Sequence, residues 1–145
     1  MRTRLREFGS LSRQRQLLLC EATVLIASSK VILAVTGLDV TERCLDVLRR
    51  FLLSPRRDAS PASVCWAVST AASHFPGTYD CLDRALAGSV LLAANGYQHH
   101  LRLGVDTTSS EFEAHAWIES DGEVLIGNVE DFGRFRELTQ REIGG

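Results

Sequence analysis

Residues 80–126 read DCLDRALAGSVLLAANGYQHHLRLGVDTTSSEFEAHAWIESDGEVLI, and the hydrophobic period changes partway along them. From Cys81 to Asn95 the apolar residues repeat at helical spacing, and Gly96 stands where a helix stop is expected. Cys81, Ala85 and Gly88 share one helical face, whose small side chains let a neighbour pack closely. After Gly96 the pattern alternates. Leu101, Leu103 and Val105 are interleaved with Arg102 and Gly104. Phe112, Ala114, Ala116 and Ile118 are interleaved with Glu113, His115 and Trp117, a strand pattern. Asp121-Gly122 is a two-residue hairpin signal, and Val124 to Ile126 form the return strand. Helices followed by an antiparallel sheet define an α+β fold.

N-terminal to this stretch the chain is helical. Ser60-Pro61 opens a helix with serine as cap and proline in the first turn. Its stripe is Val64, Val68, Ala71, Ala72 and Phe75. Pro76-Gly77 ends it, and Thr78 or Asp80 caps the Cys81 helix. Asp39, with Glu42 in capping-box position, starts an earlier helix with the stripe Val40, Cys44, Val47, Leu48, Phe51 and Leu52. Ser54 to Asp58 is a loop. Leu17 to Leu38 is a long apolar run that Thr36-Gly37 closes. Glu21 and Lys30 interrupt it on roughly opposite sides and no small-residue cleavage site follows, so it reads as a buried helix of a soluble protein. Peripheral membrane contact through these helices is the second expectation. The chain reads as one domain, 1–145, with a helical part at 1–58 and a core at 59–145.

The 145 residues are 45% hydrophobic, enough for a core without disulfide staples. A net charge of −2 gives no general attraction to nucleic acid, and the five arginines among the first fifteen residues read as a solvated basic arm. Cys20, Cys44, Cys65 and Cys81 contain no C-x-x-C pair, which argues against zinc and iron–sulfur sites and for a reducing, cytoplasmic setting. Cys20, Cys44 and Cys65 are expected to pack. Glycine-rich phosphate loops, H-E-x-x-H and G-x-S-x-G are absent, and no cofactor or metal is expected.

Cys81 and His115 carry the chemistry. A thiol at a helix start feels the positive end of the helix dipole, which favours thiolate. An imidazole alongside takes its proton and later returns it to a leaving group. Each residue alone is more often structural; their order, thiol on a helix start and imidazole on a following strand, is what points to a hydrolase. With Asp121 and Gly122 as the central hairpin pair, Glu119 faces Val124, Trp117 faces Ile126 and His115 faces Asn128. An Asn128 amide there would fix the imidazole tautomer, as in Cys-His-Asn proteases. A three-residue loop would put Gly127 opposite instead. Asp121, at the turn tip, and Asp131, beyond the strand, are poorer orienters. Arg84, one turn from Cys81, could hold a peptide carbonyl, and Trp117 could wall a substrate groove, although surface and packing roles are commoner for both. His99 reads as a satisfied structural histidine, and His74 and His100 as surface residues.

Asp80-Cys81-Leu82-Asp83-Arg84-Ala85-Leu86, Leu101-Arg102-Leu103-Gly104-Val105 and Phe112-Glu113-Ala114-His115-Ala116-Trp117-Ile118-Glu119 resemble the lasso-peptide biosynthesis leader peptidases, and the resemblance runs across most of the chain. It implies a transglutaminase-like (papain-related) core with the nucleophile helix packed on a small antiparallel sheet. Cys81 matches the family nucleophile and His115 its histidine, while the usual Asp falls near Gly127 or Asn128. The implied reaction removes a leader from a ribosomally made precursor peptide, after which a separate asparagine-synthetase-like cyclase acts. Some relatives carry a fused leader-recognition domain; 145 residues leave no room for one, so the split form, partnered by a separate recognition protein, is expected. The same residues also fit an acyltransferase that passes the acyl group to an amine, and a scaffold in which Cys81 is inert.

Overall fold

In the computed structural model the described residues are 6–7, 9–37, 40, 43–44, 47, 50, 59–75, 80–106, 108, 110–111, 113–127 and 132–138. Among them three helices, α1 (Arg13–Val35), α2 (Pro61–Ala72) and α3 (Asp80–Ala94), precede an antiparallel sheet of β1 (His100–Asp106), β2 (Ala114–Ser120), β3 (Glu123–Ile126) and β4 (Phe135–Glu137). The strand order is β3-β2-β1-β4. This is the α+β arrangement that the change of period predicts.

Local chemistry sets the helix ends. The Ser60 side chain accepts the Ser63 N–H, with Pro61 in the first turn. Ser12 likewise accepts the Arg15 N–H at the start of α1. At the far end of α3 the Gly96 N–H donates to the Ala93 carbonyl and the Tyr97 N–H to that of Leu92, a Schellman closure. α1 stops at Thr36 by another device. Thr36 is extended, and both its N–H and its hydroxyl donate to the Ile32 carbonyl. The closure expected at Gly37 is therefore made by a side chain one residue earlier.

One apolar cluster runs from Leu18 to Ile126 and joins α1, α2, α3, β2 and β3. α1 contributes Leu18, Ala22, Leu25 and Ile26; α2 contributes Val64, Ala67, Val68, Ala71 and Ala72. Burying each large aliphatic side chain stabilises by about 1.5–3 kcal/mol. Asn95 ties two helices together, because its Oδ1 accepts the Ala59 N–H ahead of α2 while its Nδ2 donates to the Leu91 carbonyl of α3. Gly88 sits against Ile118 and Ile126, where a Cβ would collide with both side chains, so the small-residue face of α3 is what seats the helix on the sheet.

Three expectations change. α1 buries one side only: Leu17, Val24, Val31 and Val35 stand exposed on its outer side, and Cys20 is exposed rather than packed. By length and composition α1 could cross a membrane, a test that core helices and signal sequences also pass. Val40 and Val47 are exposed rather than part of a buried stripe; Asp39, Glu42, Leu48, Phe51, Leu52, the loop 54–58, Pro76, Gly77 and Thr78 lie outside the described residues. The β2–β3 hairpin keeps the expected register at Ser120↔Glu123 and Glu119↔Val124 and then shifts, so that Ile118 pairs with Ile126. Leu125 is the extra residue of a β-bulge. Trp117 therefore does not face Ile126.

Candidate active site

Cys81 lies in the first turn of α3, half-buried against the core cluster. Gly88 marks where α3 meets β2. Cys81 is seven residues before that contact on the helix, about 10 Å at 1.5 Å per residue. His115 is three residues before Ile118 on the strand, about 10 Å at 3.3 Å per residue. The two elements run the same way, because at the other end the Ser120 hydroxyl of β2 donates to the Gln98 carbonyl just past α3, 2.8 Å away. Cys81 and His115 are thus carried to one end of the helix–sheet unit.

They differ in sheet face. Ala116 and Ile118 join the core beneath the helices, whereas His115 and Trp117 alternate with them and point the other way. On that face the His115 ring is stacked with Trp117, centroids 6.0 Å apart, and tilted against Phe135 at 5.5 Å. Gly104 pairs with His115 across β1 and lies under the Trp117 ring and Phe135. Trp117 is only 5% exposed, and its indole N–H donates to Glu119 at 2.8 Å. It is a platform for the imidazole rather than an open wall.

The imidazole is held by backbone. His115 Nε2 lies 2.6 Å from the Gly127 carbonyl oxygen, which can only accept. Nε2 therefore carries the proton, and in the neutral ring Nδ1 is the basic nitrogen. The bulge at Leu125 puts Gly127 beside Trp117 on the strand flanking β2. Asn128, the expected partner, and Asp131 lie outside the described residues; Asp121 is exposed in the turn, away from the ring. The Gly127 carbonyl is a backbone acceptor that a search among side chains misses.

Nearby charges brace the end of the sheet. The buried Asp106 carboxylate accepts the N–H and hydroxyl of Thr108, both at 2.7 Å, and lies 3.7 Å from the Arg134 guanidinium. Arg134 also reaches Glu113 at 3.2 Å. Arg84, on α3, is half-buried, and its Nε is buried with no hydrogen-bond partner among the described residues. His99 is a structural histidine as expected: Nδ1 is 3.0 Å from the Tyr97 carbonyl and Nε2 2.7 Å from the Ser89 hydroxyl. Burial pushes the Cys65 thiol above the usual range, so it stays a neutral packing group. Among the described residues no three His, Cys, Asp or Glu side chains are grouped to hold a metal ion. A groove of about 460 Å³ between the N-terminal segment and α2, lined by residues including Glu7, Leu19, Trp66 and His74, includes neither Cys81 nor His115.

Compared with known families, residues 31–140 match the one described as Transglutaminase-like superfamily. No curated protein and no solved structure matches the chain.

Proposed function

Because the chain belongs to the transglutaminase-like superfamily, whose chemistry is that of cysteine peptidases and acyltransferases, we propose that it is a cysteine peptidase that removes the leader from a ribosomally made precursor peptide. The observation that carries the catalytic part is the His115 Nε2–Gly127 bond, which sets the tautomer a general base needs at the end of the sheet where the Cys81 turn lies. The substrate class is supported by the sequence resemblance of residues 80–86 and 112–119. A separate leader-recognition protein would deliver the precursor, and an asparagine-synthetase-like cyclase would take the product.

His115 Nδ1 takes the Cys81 proton around the start of β2. The sulfur attacks the last leader carbonyl, and its C–S bond forms as the carbonyl π-bond opens. N–H groups of the first turn of α3, which have no intrahelical acceptor, hold the oxyanion. The imidazolium returns its proton to the leaving core amine as the C–N bond breaks. Water then attacks the thioester, with His115 again as base, and releases the leader acid and the free thiol. The buried Arg84 N–H supports a role as donor to a substrate carbonyl.

The test combines purified protein, candidate recognition protein and precursor, read by mass. Cys81→Ala should abolish cleavage, and His115→Ala should slow it by about 10²–10⁴-fold. Wild-type rates in either folded variant would refute the assignment. An amine-capped leader in place of the free acid would move it to acyl transfer.

A further inference from the structure

We infer that Ser29 and Lys30 of α1 position Cys81 by gripping Asp83, so that α1 is part of the working site. This rests on the peptidase reading.

Asp83 lies on α3 two residues after Cys81 and is 1% exposed. Its Oδ1 lies 2.9 Å from the Ser29 hydroxyl, which is itself fully buried. Its Oδ2 accepts from the Lys30 ammonium at 2.7 Å. Both carboxylate oxygens are thus held by adjacent residues of a helix more than fifty positions earlier in the chain. Lys30 is the chain's only lysine; every other basic side chain apart from histidine is arginine. The superfamily match begins at residue 31. Asp83 lies inside that segment, and Ser29 and Lys30 lie just before it.

A buried ion pair is a poor way to add stability, since well-packed apolar side chains of similar size do as well or better. What it adds is geometry. Apolar contacts are non-directional, whereas hydrogen bonds to both carboxylate oxygens fix distance and angle and so resist a slide of α3 along its axis. Asp83 is about 3 Å along α3 from Cys81. The far end of α3 is fixed by the Schellman closure and the Ser89–His99 bond. The Ser29–Lys30 grip fixes the near end, and with it the height of the sulfur relative to β2.

A single lysine makes this testable. Reductive ¹³C-methylation of the folded protein labels Lys30 and the N-terminus, which keep their charge and resolve as separate resonances. Asp83→Asn should shift the Lys30 resonance toward that of an exposed dimethyl-lysine. Lys30→Met should leave the buried Asp83 carboxylate without its cation, lower the melting temperature, and slow both iodoacetamide alkylation of Cys81 and precursor cleavage at least tenfold. The double variant Lys30→Met/Asp83→Asn removes both charges. It should recover most of the melting temperature while alkylation and kcat stay at least tenfold down with KM nearly unchanged. Recovery of reactivity together with stability would make the grip merely structural and overturn the inference. An unmoved Lys30 resonance in Asp83→Asn would overturn it as well. Absence of precursor cleavage in the wild type would instead sink the peptidase reading, and the positioning role would go with it.

Discussion

Replacing Gly127 with alanine tests the claim that a backbone carbonyl holds the His115 ring. Gly127 has φ +85, in the left-handed region. A Cβ there would stand 2.5 Å from the Ala116 carbonyl oxygen and 3.0 Å from the Trp117 Cα. Those atoms cannot yield easily, because β2 is an inner strand and Ala116 is paired with Leu103 of β1. Gly122 supplies the control: its φ is +80, yet nothing lies within 4 Å of its Cβ position. Both alanines incur the left-handed penalty of about 1–2 kcal/mol. Only Gly127→Ala adds a clash, costing about a further 1–3 kcal/mol. For a domain of this size that lowers the melting temperature of Gly127→Ala by roughly 3–10 °C below that of Gly122→Ala. Displacing the carbonyl also removes the acceptor for His115 Nε2, so peptide cleavage should fall in Gly127→Ala and not in Gly122→Ala when both are assayed well below their melting points. Thermal melts by circular dichroism and cleavage by mass give the two readouts. Equal melting temperatures and equal rates would refute both the close approach and the role of the carbonyl.

Two further outcomes follow from the geometry. His115→Gln should keep an N–H for the Gly127 carbonyl while losing the basic ring nitrogen, so the melting temperature should stay near that of the wild type while cleavage falls about 10²–10⁴-fold; wild-type cleavage rates in this variant, read by mass, would end the general-base role. For Cys65, unfolding exposes a thiol that ionises near its ordinary value of 9.0 while the native thiol ionises later. The unfolded state therefore binds fewer protons in that window, and stability should be unaffected below about pH 9 and fall as pH rises beyond it. Chemical denaturation at several pH values should show this decline in the wild type relative to Cys65→Ala, and identical pH dependence in the two proteins would refute it.

Much of this fold is legible in the sequence because period and capping agree. The Ser60 cap, the α3 stop at Gly96, the strands after it and the Asp121-Gly122 turn all follow from local chemistry. The bulge does not. Val124, Leu125 and Ile126 are all apolar, so alternation gives no sign of which residue is spare, and one extra residue moves Gly127 from opposite Ala116 to beside Trp117. β4 has three residues, too few to show a period. Asp83 looks like a water-facing position on α3 until a helix more than fifty residues earlier brings Lys30 and Ser29 to it. The outer side of α1 is as apolar as its inner side, so hydropathy alone could not tell which would be buried. Nor could alternation say that Ala116 and Ile118, rather than His115 and Trp117, would meet α3.

The irregularity at Leu125 has a second effect, on solubility. β3 is one rim of the sheet, with a row of backbone groups that a neighbouring molecule could extend into a continuous ribbon. A kink in that rim breaks the straight template, and the short opposite rim, β4, displays Arg136 and Glu137 to water. The distortion that sets Gly127 beside Trp117 thus also discourages one copy of the protein from zipping onto the next.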